Sequence, residues 1–416
     1  MATQEEAMGA IQQGENVAIF ASAGKGKSYI INQIADDNTI LCAPTGIAAL
    51  NIKGETAHSV FGLPFGLPVD KDKTSFNKTF MELFGVHSKA DRIIIDEAPM
   101  LLSAHLDLID TKLRNIKKIN EPFGGLQVLL TGDPYQLPPI ISSQEKRIFR
   151  RLYKSGFVFD SNVWKEAAFN VINLDKVYRQ SDVEQIRLLD AIRSKEDGWQ
   201  QAVKDINDMC TLVADEHTLN LCVFNADADI VNNKHYIKNT NKPRVYKAKI
   251  EGKFKSKDCI VDAEVSLKVG LRVIICANCP EKSYKNGQMA ELLSLHDDYV
   301  IVRLDDGDVV EVVKANWESF KYSNGIKGLK KDVAGKCEQI PIRQGNAISI
   351  HKSQSLTLDK LVINMGKGAF GAALAYVALS RVRDLTQVCL TRPLKESDII
   401  VDKRVQTWYN TLKYNQ

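Results

Sequence analysis

The chain has 416 residues, of which 44% are hydrophobic and 25% charged; this composition excludes a disulfide-stapled mini-protein and a disordered polymer, and it predicts two or three domains. Fifty-five Lys and Arg stand against 51 Asp and Glu, a formal charge of +4 that permits a nucleic-acid partner without arguing for one. The eight cysteines lie scattered through apolar runs, as in Leu41-Cys42-Ala43. That is the usage of a reducing compartment, and the one CxxC, Cys276 with Cys279, has no second ligand pair for zinc.

Residues 1–10 lack the basic start and apolar stretch of a signal peptide, and no apolar run is long enough for a bilayer. The expectation is a cytoplasmic protein, bacterial or of a virus-infected cell, with no membrane partner.

Val17–Phe20 is a short apolar strand, followed by a Gly-containing loop and a helix through Tyr29–Ile34. Ile40–Ala43, Ile93–Ile95 and Val128–Leu130 are further apolar runs, each closed by a turn signal. Strands buried on both faces read this way and predict an α/β fold with a mostly parallel sheet. Between His58 and Arg92 the Gly62–Pro68 stretch breaks any helix or central strand, so about 62–90 reads as a surface insertion in a first domain, 1–142. Residues 143–172 read as a helical linker. A second strand series begins at Leu219–Phe224 and resumes at Ala347–Ile350, Leu361–Asn364 and Gln387–Leu390, giving a second domain of 173–244 and 341–416. The intervening 245–340 shows alternation at Tyr299–Leu304 and turns at Asn286-Gly287, Asp306-Gly307 and Asn324-Gly325, which predicts an inserted antiparallel β module.

Ala21-Ser22-Ala23-Gly24-Lys25-Gly26-Lys27-Ser28 follows a strand and opens a helix. Small residues let backbone N–H groups approach phosphate oxygens, the helix start adds positive charge, Lys27 reaches the terminal phosphates and the Ser28 hydroxyl ligates Mg²⁺. The pattern ordinarily begins with Gly, and Ala21 stands there instead. Ile93-Ile94-Ile95-Asp96-Glu97 then ends a strand in two carboxylates. Asp96 is expected to hold Mg²⁺ and Glu97 to polarise the attacking water. Gln136, in a Gly-Asp-Pro-Tyr-Gln-Leu-Pro-Pro turn, is expected to read the γ-phosphate.

The chain resembles a superfamily 1 DNA helicase of the Pif family. The resemblance rests on blocks in family order: Gln4 with Ala7, Ala43-Pro44-Thr45-Gly46, Thr56-Ala57-His58-Ser59-Val60-Phe61, the Asp-Glu and Gly-Asp-Pro-Tyr-Gln blocks, Val177-Tyr178-Arg179-Gln180, Leu188–Arg193, Ser349–Thr357 and Ala375–Arg383. RecD-type and Dda-type helicases share most of this chemistry. The resemblance implies two RecA-like motor domains of the P-loop NTPase class, an inserted small β-barrel and a wedge element. It implies ATP with Mg²⁺ as cofactors, single-stranded and forked duplex DNA as partners, replication proteins among possible contacts, and a monomer moving 5′ to 3′ in replication, recombination or repair.

By matched position, Gln4 reads the adenine, and Arg179 and Arg381 act as arginine fingers. Thr45, His58, Ser59, Asn225, His351, Lys352 and Ser353 touch the DNA strand. Phe61, Phe65, Pro64 in the wedge and Tyr284 are candidates for base contacts. Arg193 and Arg383 read as surface ion pairs. Lys25, Ala98-Pro99 and Ser355 depart from the family pattern, which bears on nucleotide affinity and coupling. A DNA-binding or loading module gated by ATP is the alternative of another class.

Overall fold

The computed structural model describes residues 3–22, 25–64, 66–68, 70–85, 88–141, 145–174, 183–215, 218–254, 259–277, 279, 283–284, 288–325, 328–354 and 356–414. The chain divides into two compact units, one of Met1–Arg179 with Ser319–Ala334, the other of Gln180–Glu318 with Gly335–Gln416.

Unit 1 is built on a six-stranded sheet of β1 (Val17–Phe20), β2 (Thr39–Ala43), β3 (Glu55–Thr56), β4 (Arg92–Ile95), β5 (Gln127–Gly132) and β6 (Asn170–Ile172), in the order β3-β2-β4-β5-β1-β6. Every pairing is parallel. All four residues of β1 are buried, as a strand covered on both faces requires. Its Val17 and Ile19 share one core cluster with Ile94 of β4, Leu129 of β5, Ile30 and Ile31. Those last two lie on α2 (Lys27–Ile34), which follows α1 (Gln4–Gln12).

Between β2 and β4 come four short helices, α3 (Gly46–Asn51), α4 (Ala57–Phe61), α5 (Asp70–Thr74) and α6 (Lys78–Phe84). The long α7 (Ser103–Lys117) leads on to β5, and α8 (Lys146–Leu152) and α9 (Asn162–Glu166) precede β6. This corrects the linker expected at 143–172. β6 pairs with β1 and completes the sheet, and Trp164 of α9 stacks on Phe20 with ring centroids 6.2 Å apart.

In unit 2, α10 (Val183–Ser194) and α11 (Trp199–Met209) lead into β7 (Asn220–Cys222) and α12 (Asn225–Lys238). An antiparallel region follows, in unit 2 except for the Ser319–Ala334 stretch of its β15 and β16: β8 (Arg244–Lys247), β9 (Lys249–Gly252), β10 (Glu264–Leu267), β11 (Arg272–Ile275), β12 (Met289–Leu295), β13 (Tyr299–Leu304), β14 (Val309–Val313), β15 (Ala315–Gly325), β16 (Gly328–Gln339) and β17 (Ile342–Gln344). Its largest sheet has the order β14-β13-β12-β11-β17, over a core that includes Leu267, Val273, Leu292, Val300 and Ile340. Tyr284 is 4% exposed in that core, which corrects the expectation of a base-stacking ring. The Asp306-Gly307 turn joins β13 to β14 as expected, whereas β15 continues as strand through Asn324-Gly325. Asn286-Gly287 lies outside the described residues.

β18 (Ala347–Ser349), β19 (Leu361–Asn364) and β20 (Val388–Leu390) then join β7 in a parallel sheet, β18-β7-β19-β20, with α13 (Leu374–Leu379) and α14 (Lys403–Tyr414) completing the chain. The antiparallel strands are thus inserted between β7 and β18, which are sheet neighbours. Among the described residues no helix is long and apolar enough to cross a membrane.

Candidate functional site

Parallel strands deliver the loops after β1, β4 and β5 to one edge of the sheet, their shared carboxyl end, where ligands of open α/β sheets bind. Those loops carry Ala21–Ser28, Asp96-Glu97 and Asp133–Gln136. Ala21 extends the pairing of β1 by donating its N–H to Gly132 O at 3.0 Å. Gly26 adopts φ +80°, which suits glycine, and caps the start of α2. The Lys27 ammonium donates to Ala21 O at 2.7 Å and Ser22 O at 3.0 Å, so it lies inside the loop. Ser22 is buried and Ser28 exposed. Lys25 is half-buried; Ala23 and Gly24 lie outside the described residues. The Gln4 amide sits 3.5 Å from Gly26 O, which brings the N-terminal helix to the same loop.

Just after β4, Asp96 accepts a hydrogen bond from Thr131 Oγ1 at 2.5 Å, while its N–H donates to Cys42 O. Glu97 has φ +50°, a left-handed conformation rare outside glycine, and the 3₁₀ turn Ala98–Met100 begins immediately after it. Pro99 is the second residue of that turn, where a proline fits without losing a helix bond. Its ring lies against Gly132, at φ +151°, and any Cβ at 132 would run into it. Asp133 is buried, and its Oδ1 accepts from Tyr135 N at 3.1 Å; Gln136 is half-buried at the end of this turn.

The expected arginines differ in outcome. Val177-Tyr178-Arg179-Gln180 lies outside the described residues. Arg381 is 3% exposed and turned into its own unit. Its guanidinium donates to Val377 O (2.9 Å), Ser380 Oγ (2.8 Å), and Ser353 O and Leu356 O (each 3.4 Å). Here it is a structural clamp, and a role at phosphate requires it to leave these partners. Arg193 is half-buried and Arg383 exposed, and Gln185, wholly buried, ties α10 to Arg383 O and Leu385 N.

The surface insertion of unit 1 folds around aromatic rings. Phe61 is wholly buried, stacked 5.5 Å from Phe84 and near Phe80, so the expectation that it stacks on a base is corrected. Phe65 lies outside the described residues, and Pro64 is half-exposed. Buried Lys112 donates to Phe61 O at 2.7 Å and Gly62 O at 3.2 Å, satisfying carbonyls left open at the end of α4. Thr45 caps α3 through Ala48 N, and Ser59 donates its hydroxyl to Glu55. Half-buried His58 meets His105 edge-on at 5.2 Å.

His105 Nε2 lies 2.8 Å from Gly66 O, and burial pushes its imidazole below the usual value of 6.5. The folded state therefore keeps the ring neutral while the unfolded chain takes a proton below that pH. Stability is expected to fall as pH drops from 6.5 towards the folded value, by at most about 1.4 kcal/mol per pH unit. Urea unfolding across this range checks it, and the loss on acidification should be smaller in His105→Asn, the remainder including His351, which burial also pushes down.

In unit 2 the carboxyl edge of the second parallel sheet gathers Asn225 after β7, Ile350–Ser353 after β18 and Phe370 after β19. Asn225, His351 and Lys352 are exposed, and Asn225, Ser349 and Lys352 line a cleft of about 480 Å³. Ser353 corrects its expectation: it is wholly buried and its hydroxyl donates to Ile350 O. Two residues the sequence reading missed stand here. Phe224 (45% exposed) and Phe370 (60% exposed) stack at 4.9 Å, with the His351 ring 6.3 Å from Phe370. Exposed stacked rings are the unusual feature that marks them. Cys276 lies against Ile274 O and Cys279 accepts from Ser283, so the two thiols of the CxxC have separate partners.

The family described as PIF1-like helicase matches residues 2–208. The ATP-dependent DNA helicase PIF1 of Danio rerio is 30% identical over 398 residues, covering 92% of this chain and 59% of the relative. The chain spans about three-fifths of the length of that relative and of its Xenopus laevis counterpart, where the share is 60%. The Pif1 of Bdellovibrio bacteriovorus is 26% identical and is covered to 90% of its length. Among solved structures, Bacteroides sp Pif1 in complex with ADP-AlF4 superposes with a TM-score of 0.87 at 32% identity, covering 99% of this chain and 96% of that one. The same protein bound to single-stranded DNA gives 0.71 at 31% identity, over 99% and 96%.

Proposed function

This chain belongs to the PIF1-like helicase family, and from that membership we propose that it hydrolyses ATP to move 5′ to 3′ along single-stranded DNA and part duplexes. The observation that carries the reading is the sheet edge where Lys27, on the loop after β1, and Asp96 and Glu97, on the loop after β4, arrive at one end of a parallel sheet. A relative crystallised with ADP-AlF4 and with single-stranded DNA supports it.

Within this reading both units are built on RecA-like motor domains, 245–340 is the inserted small barrel and about 62–90 is the wedge. Lys27 leaves the Ala21 and Ser22 carbonyls for the β- and γ-phosphates, a charge replacing two neutral acceptors. Glu97 accepts a proton from the attacking water. Thr131, by holding one oxygen of Asp96, fixes the direction in which the carboxylate points. The exposed Ser28 hydroxyl and this oriented carboxylate are the donor set expected for Mg²⁺, which when bound neutralises phosphate charge. Arg381 and Arg179 meet the γ-phosphate in the nucleotide-bound state, Gln4 the adenine and Gln136 the γ-phosphate.

Asn225, His351 and Lys352 contact the DNA backbone, and Phe224 with Phe370 supplies a face on which a base stacks. Truncating either ring to Ala is expected to weaken single-strand affinity by about 1–3 kcal/mol, read by fluorescence anisotropy, and to matter little on an abasic strand.

The deciding experiment compares unwinding of duplexes with a 5′ or a 3′ tail, with and without ATP, alongside ATP hydrolysis with and without single-stranded DNA. Unwinding of the 5′-tailed substrate alone, with DNA-stimulated hydrolysis, supports the proposal. DNA binding without stimulation or unwinding would instead favour a loading module.

A further inference from the structure

A pair of thiols in the antiparallel region of unit 2 plays no part in the proposed motor chemistry. Cys337 lies on β16, in the stretch Gly335–Glu338 that pairs with β9, and is wholly buried. Cys259 lies in the segment between β9 and β10 and is half-exposed. The two are 78 residues apart in sequence, yet their sulfurs are 2.8 Å apart. That gap is about 0.8 Å beyond a disulfide bond of ~2.05 Å, so a small rotation of either side chain closes it.

The segment carrying Cys259 is held at two further points. Arg343 donates to Ile260 O, and Gln339 donates to Asp262 O and Ala263 O at 3.4 and 3.2 Å. Residues 259–263 thus form a strap across β16 and β17. Its Asp262 lines the same cleft as Asn225 and Lys352.

We propose that Cys259 and Cys337 form a reversible disulfide when the protein meets a low-molecular-weight disulfide such as oxidised glutathione, stapling the strap that walls this cleft. The half-exposed Cys259 attacks first. Its thiolate sulfur bonds to one sulfur of the oxidant, the S–S bond breaks, and the departing thiolate takes up a proton. Cys337 then gives up its proton, attacks Cys259 Sγ and expels the second thiol. Two protein thiols are oxidised and one disulfide is reduced to two thiols, so atoms and electrons balance.

The order follows from the surroundings. Cys337 is shielded from the solvent, and its thiol is pushed up to about 12, by burial first and then by its hydrogen bond with Cys259. It is therefore the resolving thiol, and closure is slow at neutral pH and faster as pH rises. A disulfide that forms and opens in this way suits a chain whose cysteines otherwise stay reduced.

The test uses the full chain incubated with oxidised glutathione at pH 7 and pH 8.5, then alkylated and digested without reductant. The expected product has lost two hydrogens, and its free thiols fall from eight to six. It yields one cross-linked peptide joining Cys259 to Cys337, forms faster at the higher pH and reverts with dithiothreitol. Cys337→Ser should stop at a glutathione adduct on Cys259. The proposal is overturned if wild-type protein also stops at that adduct, or if both thiols are still fully alkylated after exposure. Neither result depends on ATP or DNA, so it leaves the helicase reading untouched.

Discussion

Lys27→Ala should lower the rate of ATP hydrolysis by at least about 10²–10³, the loss met when one preorganised charge or donor is removed from a developing anion. The fold should survive. Lys27 is half-buried, and it donates to the Ala21 and Ser22 carbonyls, which water can reach once the side chain is gone. Such bonds contribute about 0.5–1.5 kcal/mol each, a small part of the stability of a chain this size. The variant should therefore melt within a few degrees of wild type and keep its affinity for single-stranded DNA. Steady-state hydrolysis, thermal unfolding and anisotropy read the three quantities separately. A variant turning over at the wild-type rate would remove the phosphate loop from the mechanism.

The second large effect is at Arg381, where two roles have to be separated. Supplying an arginine finger is worth about 10³–10⁵ in rate, so Arg381→Ala should cost that much if the guanidinium reaches phosphate. The same change deletes donors to Val377 O, Ser353 O and Leu356 O inside the unit, each charged bond contributing about 1.5–3 kcal/mol. Loss of activity in the Ala variant is thus ambiguous. Arg381→Lys resolves it, because an ammonium keeps the charge and can still donate from its single nitrogen while losing the planar fork. The expected result is a folded protein with normal DNA affinity and hydrolysis still reduced by about two orders of magnitude or more. Near-normal hydrolysis in the Lys variant would make Arg381 a clamp and nothing else.

The central strands were legible because each is a continuous apolar run ending at a turn, as in Ile93-Ile94-Ile95 before Asp96. β3, with two residues, and β6, Asn170–Ile172, were not, because edge strands this short carry no periodicity. Residues 143–172 looked like a linker for the same reason, since the pairing of β6 with β1 is set by tertiary contact. Within the site, Lys27, Asp96 and Glu97 could be read from local order along the chain. Thr131 could not, because its bond to Asp96 depends on β4 and β5 being neighbours. Phe61, Tyr284 and Ser353 show the opposite error: residue type says what a side chain could do, and only packing says which way it faces. The Phe224–Phe370 stack joins the ends of two strands and has no local signature at all.

The contact between Pro99 and Gly132 has a consequence for how this sequence can change. Gly132 also supplies the carbonyl that receives Ala21 N–H, so one position without a side chain touches the loops after β1 and β4. Ala at 132 should be harmful on two counts, because its Cβ would meet the Pro99 ring and because a φ of +151° strains any side chain; a smaller residue at 99 relieves the first cost and leaves the second, a partial departure from additivity in a double-mutant cycle. A lineage that replaced the proline first would meet the smaller penalty at 132, yet glycine would stay favoured there by its own backbone as well as by its neighbour.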